Sequence, residues 1–133
     1  MDIIPTLVSL FQIHFNWNLA RAKCITALIR ALFKAKTVNL AELATKMPGP
    51  ADTSSKYRRL QRLLSEFTLD ISLFALFIAS QLPYEKYTIS IDRTNWMYGK
   101  SHLNILFLGI VHDGIAYPIL WIVLDEDKKN GNT

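Results

Sequence analysis

Asp92 is the residue in this chain whose setting is most clearly arranged for chemistry. It closes the run Tyr87 to Asp92, YTISID, in which Tyr87, Ile89 and Ile91 alternate with Thr88, Ser90 and Asp92. A period of two puts the large apolar side chains on one face of a β-strand and the carboxylate on the other. A carboxylate displayed in this way can bind a divalent cation, orient a water, or hydrogen-bond the backbone of its own loop. Two-metal phosphoryl transfer needs several such groups, because ions about 4 Å apart must stabilise both the attacking and the leaving oxygen. Other chemistries find no support. His14, His102 and His112 are scattered, there is no phosphate-cradling glycine loop or nucleophile elbow, and Cys24 is the one cysteine. A single cysteine also rules out an internal disulfide and points to a reducing compartment.

The second candidate is a basic helix. In SKYRRLQRLLSEF, Tyr57, Leu60, Leu63, Leu64 and Phe67 fall on one arc of a helical wheel, Arg58, Arg59 and Arg62 fall opposite, and Lys56 lies at the edge. That face can contact phosphates or simply be solvated. Charge distribution bears on the choice. Up to Ser65 the chain carries ten Lys/Arg against three Asp/Glu, a net +7, whereas from Glu66 onward it carries five against eight, a net −3. A basic first half suits a polyanionic partner.

The elements that position these residues read as helices first and strands afterwards. Asp2 to Phe15 is a short apolar helix with Pro5 tolerated in its first turn, and Asn18 opens a second helix running to about Lys34. Asn39 caps a third, with Glu42 as reciprocal partner and Val38 and Leu43 as a hydrophobic staple. Pro48, Gly49 and Pro50 break the chain, and Ser54 or Ser55 caps the basic helix. Long, short and basic helices in succession resemble a helix-turn-helix arrangement in outline. Thr68 to Leu82 is a further apolar helix.

After Asp92 the residues Arg93 to His102 read as a loop. Asn104 to Val111 is a near-continuous apolar strand, Asp113-Gly114 is a hairpin turn, and Ile115 to Leu124 is a strand whose Pro118 puts it at a sheet edge. The tail Asp125 to Thr133 is polar and reads as unstructured. Leu103 to Leu124 is long enough to span a bilayer, but His112, Asp113 and Gly114 fall in its middle, which favours two buried strands over a membrane segment. The apolar N-terminus has no Lys or Arg before its hydrophobic run, unlike a signal peptide.

The run SIDRTNWMYGKSHLNILFLGIVHDGIAYPILWIVLD, with Asp92 to Trp96, Gly99, Lys100, Asn104 to Leu106, Pro118 and Trp121 in order, closely resembles the first catalytic-domain segment of bacterial insertion-sequence transposases of the DDE type, in the IS-four-like group. YRRLQRLLSEF is similar to the arginine-rich helix that precedes that domain. The resemblance implies an α+β chain in three parts. Residues 1–67 would be an all-helical DNA-binding region, residues 68–86 a connecting helix and linker, and residues 87–133 the first three antiparallel strands of an incomplete RNase H-like catalytic domain. It makes Asp92 the first metal-binding carboxylate of the triad, with Mg²⁺ or Mn²⁺ as cofactor. The implied reaction is strand cleavage and transfer at terminal inverted repeats of double-stranded DNA in the cytoplasm, associated with the nucleoid. It also favours DNA contact by Lys56, Arg58, Arg59 and Arg62.

The family needs a second Asp on a fourth strand and a Glu on a later helix, and the sequence ends at Thr133 before either. The expectation is therefore a truncated transposase that is inactive alone, with an open sheet face prone to self-association. The alternative is a non-catalytic module that occupies transposon ends and competes with full-length enzyme. A small membrane-associated protein using Leu103 to Leu124 is a third reading.

Overall fold

The computed structural model describes residues 3–83 and 86–124, and among them five helices precede a three-stranded antiparallel sheet, an α+β chain. Two compact units divide it, Met1–Thr68 and Leu69–Thr133. The first holds α1 (Ile4–Phe15), α2 (Leu19–Ala35), α3 (Leu40–Lys46) and α4 (Thr53–Glu66). The second holds α5 (Ile71–Gln81), β1 (Thr88–Tyr98), β2 (Ser101–His112) and β3 (Ile115–Leu124). Asp2 and the tail Asp125 to Thr133 lie outside the described residues.

Side-chain caps start α2, α3 and α4, whereas α1 has none and carries Pro5 in its first turn. Asn18 accepts the N–H of Arg21 at 2.8 Å, and Asn39 accepts those of Ala41 and Glu42. The Asn39 cap is not a reciprocal box, because its own N–H donates to Thr37 Oγ1 rather than to Glu42. Nor is there a staple, since Leu43 is buried while Val38 is 83% exposed. The α4 helix begins earlier than Ser54 or Ser55. Asp52 caps it, accepting the Ser55 N–H at 2.6 Å and the Ser54 hydroxyl at 3.1 Å, because a carboxylate is a stronger acceptor than the competing serine hydroxyls.

The core of this unit gathers Ala27 and Ala31 of α2, Leu43 and Ala44 of α3, Met47 at the end of α3, and Leu60 of α4, with Leu28, Leu32 and Tyr57 packed around them. Small alanines on α2 and α3 let the helices approach closely enough for Leu60 to be fully enclosed. A second cluster stacks Phe15 on Trp17 at 4.4 Å, with Phe11 beside both and Phe67 meeting Trp17 edge-on at 5.2 Å. It ties the end of α1 to the end of α4.

In the second unit the strand order is β1-β2-β3, with β3 at an edge as its proline requires. Asp113 and Gly114 both have positive φ, 49° and 76°, which the tight β2–β3 turn needs. The expected loop from Arg93 to His102 is absent. Instead β1 continues through Asp92-Arg-Thr-Asn-Trp to Tyr98, paired residue by residue with β2 down to Ser101, and Gly99 at φ 61° turns the chain. Arg93, Thr94 and Asn95 interrupt the apolar alternation, but β1 is an edge strand with exposed faces, so polar side chains there cost little and the backbone ladder holds the pairing. Opposite Leu108 and Gly109 the partners on β3 jump from Leu120 to Pro118, a bulge. Helix α5, capped by Asp70 rather than starting at Thr68, packs on β3 through Phe74 against Trp121 at 5.2 Å. Leu103 to Leu124 thus forms two strands and their turn, and no single helix among the described residues is long and apolar enough to cross a membrane.

Thr26 on α2 is fully buried and its Oγ1 has no hydrogen-bond partner among the described residues. An unpaired buried hydroxyl costs about 1–3 kcal/mol, and valine has the same shape without it. Thr26→Val is expected to stabilise the chain by about 1 kcal/mol, read as a higher urea midpoint at unchanged slope; a lower midpoint would mean that the hydroxyl is satisfied in solution.

Candidate functional site

Each unit presents one candidate. In the first, α4 is fixed by the Asp52 cap at one end, Leu60 in the core, and Phe67 in the aromatic cluster at the other. With Leu60 pointing inward, Arg58, Arg59 and Arg62 are exposed and Lys56 is half-buried. The apolar arc read from the wheel is only partly used, for Leu64 remains 60% exposed.

The arginines do not form one uniform stripe. Arg59 and Arg62 turn toward α2, where they line a surface hollow of about 180 Å³ together with Arg21, Leu63, Glu66 and Phe67. Arg58, a residue from Arg59 and so about 100° round the helix, is not part of it. The guanidinium of Arg21 lies over the Phe67 ring at 5.2 Å, a cation–π contact, and Arg59 Nη2 makes a long 3.5 Å contact to the carbonyl of Ala20. Among the described residues, no carboxylate comes within ion-pair distance of Arg21, Arg58, Arg59, Arg62 or Lys56.

Arg21 has no role on the helical wheel of α2, where it falls among polar residues. Only the packing of α2 and α4 around α3 brings it to Arg59 and Arg62. One local signal marks it all the same. It occupies the first turn of α2, which contains no acidic residue, and a cation at the positive end of a helix dipole is electrostatically misplaced.

In the second unit Asp92 lies within β1, not at its end. Its cross-strand partner is Phe107, whose partner in turn is Trp121, so the three share one face of the sheet. Asp92 is exposed, and its Oδ1 accepts the Arg93 N–H at 2.7 Å. Thr94, next on that face, donates to the carbonyl of Ile105, and Trp96 beyond it is 63% exposed. The opposite face carries Ile89, Ile91, Leu106, Leu120 and Ile122, all exposed, and the last four of these line a shallow apolar hollow of about 150 Å³.

A divalent ion at Asp92 would need further ligands. The described acidic residue nearest in sequence on the sheet side is Asp113, paired with His112 at 3.1 Å in the β2–β3 turn. Since Thr88 pairs with Val111, that turn lies more than four residues along the ladder from Asp92, beyond about 13 Å. No group of three or more His, Cys, Asp or Glu able to hold a metal occurs among the described residues. These residues alone therefore do not fit a two-ion centre, and no reaction step can be derived through one.

Comparison with protein-family models, curated proteins and solved structures finds no match to this chain.

The Asp52 cap that starts the basic helix is sensitive to acid. The Ser55 N–H, then the Ser55 and Ser54 hydroxyls, with a smaller contribution from Lys56, hold its carboxyl below the usual aspartate range. A folded-state value below the unfolded one contributes stability that is complete above the unfolded pKa and disappears as pH falls through the folded value. Asn caps equally well but takes up no proton. The advantage of wild type over Asp52→Asn at pH 7 is expected to shrink toward pH 3, in urea midpoints followed by helical circular dichroism; an advantage that grows on acidification would contradict it.

Proposed function

We propose that the first unit binds double-stranded DNA through the basic side of α4, and that the chain is the N-terminal part of an insertion-sequence transposase of the DDE type. The observation that carries the first statement is the set of exposed arginines with no carboxylate partner among the described residues, on a helix whose orientation is locked by Leu60. Unpaired cations on a rigid element bind phosphates without first breaking internal ion pairs, and they gain from counterion release. The order α2, short α3, then basic α4 supports a helix-turn-helix style of docking, with α4 toward the duplex.

The transposase assignment rests on the resemblance of residues 88–124, and the three-stranded antiparallel meander with a carboxylate on β1 supports it. In such an enzyme Asp92 would be one ligand for Mg²⁺ or Mn²⁺, joined by carboxylates outside the described residues. The apolar rows through Ile91 and Leu106 support self-association of the second unit, as does the edge of β1 that pairs with no described strand. A non-catalytic role, occupying transposon ends, is favoured by the single carboxylate that the described residues bring to this place.

Fluorescence anisotropy with a labelled terminal inverted repeat tests the binding. Wild type is expected to bind in a salt-sensitive manner, and the combined Arg58→Ala, Arg59→Ala, Arg62→Ala variant is expected to weaken binding at least tenfold, each lost phosphate contact lowering the salt slope by about 0.9. No binding at low salt would refute the reading. Pure chain with Mg²⁺ or Mn²⁺ is expected to leave the repeat intact, and nicking abolished by Asp92→Asn would overturn that expectation. Light scattering is expected to show oligomers that Ile91→Lys diminishes; a wild-type monomer at high concentration would rule out the sheet as an assembly surface.

A further inference from the structure

The surface hollow between α2 and α4 differs from the solvated face of a basic helix. Its cations come from two helices, and two of the three, Arg21 and Arg59, have protein contacts before any ligand arrives. Arg21 is seated on the Phe67 ring and Arg59 reaches the Ala20 carbonyl, so part of the rotamer entropy that binding costs has already been spent. Three guanidinium groups line the hollow against one carboxylate, Glu66, which pairs with none of them within ion-pair distance. The site therefore keeps a positive excess. Arg21 adds to the imbalance by standing in the first turn of a helix, where the helix dipole already favours an anion. Among the described residues the Phe67 ring, the Ala20 carbonyl and the unpaired Glu66 offset these repulsions only in part, and a tetrahedral oxyanion would offset the remainder. The volume of about 180 Å³ is several times the roughly 30 Å³ share of one liquid water, room for such a group and some of its hydration.

We infer that Arg21, Arg59 and Arg62 form a binding site for a single phosphate group, with planar guanidinium forks from α2 and α4 holding its oxygens and Phe67 keeping Arg21 in place. Guanidinium suits this task because its paired N–H donors match two oxygens at once. The identity of the phosphate as one of the DNA backbone rests on the DNA-binding reading given above; the site itself does not. Its consequence for that reading is specific. The duplex would be clamped by α2 as well as by α4, and Arg58, outside the hollow, would make a separate contact.

Two measurements on the full chain distinguish the possibilities. In anisotropy with a labelled duplex, Arg21→Ala is expected to weaken binding several-fold and to reduce the salt slope by about 0.9, one phosphate contact. Arg21→Lys is expected to retain the slope while losing part of the affinity, because the charge remains without the fork. A purely structural role for Arg21 would lower the melting temperature without moving the slope. In the second measurement, inorganic phosphate is titrated while the arginine Nε–Hε signals are followed by NMR. The signals of Arg21, Arg59 and Arg62 are expected to shift together and saturate, that of Arg58 to stay in place, and Arg21→Ala to abolish the saturation. If wild type binds the duplex but Arg21→Ala changes neither slope nor phosphate response, the inference falls and the DNA reading stands. If wild type binds no duplex, the DNA reading falls; saturating phosphate shifts would then support the hollow as a site for free phosphate, and their absence would overturn it.

Discussion

The burial of Leu60 is the constraint on which the first unit depends. It is fully enclosed by residues of α2 and α3 and by Met47, and a helix that commits one leucine to such a site has no freedom to rotate. Leucine-to-alanine changes at enclosed positions cost about 2–5 kcal/mol, a large part of the stability of a small domain. Once that side chain is fixed, the helical period decides what the others do. Tyr57 packs beside it, Arg58 faces solvent, and Arg59 and Arg62 meet α2. The electrostatic character of the surface thus follows from one packing event, and the alanines at 27, 31 and 44 permit it by leaving room.

The second unit is built on a different balance. Its ladder is long, eleven paired positions between β1 and β2, yet few of its side chains are buried. Helix α5 packs against β3, while the rows through Ile89, Ile91, Leu106 and Ile122 stay exposed. Backbone pairing defines the geometry here, and hydrophobic burial contributes less than in the helical unit. A strand held mainly by its ladder tolerates polar residues, and this is how Asp92, Arg93 and Asn95 come to lie within β1 rather than in a loop after it. The same exposure that leaves the carboxylate accessible leaves the apolar rows without cover.

Charge separates the units as well. The helices gather most of the basic residues and leave several without acidic partners among the described residues, whereas Asp92 shares its sheet face with Phe107 and Trp121. The two components, a positively charged surface and a carboxylate displayed on a sheet, belong to different units. Each component is incomplete chemically in its own way. Guanidinium groups can hold an anion but do not react with it, and one carboxylate cannot position two ions.

Much of the framework was legible in the sequence because it is local. Asn18 and Asn39 act on N–H groups two or three residues away, Asp113-Gly114 adopts its turn without outside help, and Pro118 excludes itself from a central strand. The order of helices before a meander follows from these signals. Where several capping residues compete the signal is weaker, and Asp52 prevails over Ser54 and Ser55 through the greater acceptor strength of a carboxylate. The length of β1 and the company of Arg21 belong to tertiary structure alone. Thr94 pairs with Ile105 eleven residues on, Arg21 and Arg62 line one hollow across some forty residues, and no periodicity along one segment records energies that arise between segments. Sequence thus determined that a carboxylate would be displayed on a strand and that a helix would be basic; the ladder and the helix packing decided where on the strand it sits and which arginines converge, because both depend on contacts made only when distant parts of the chain meet.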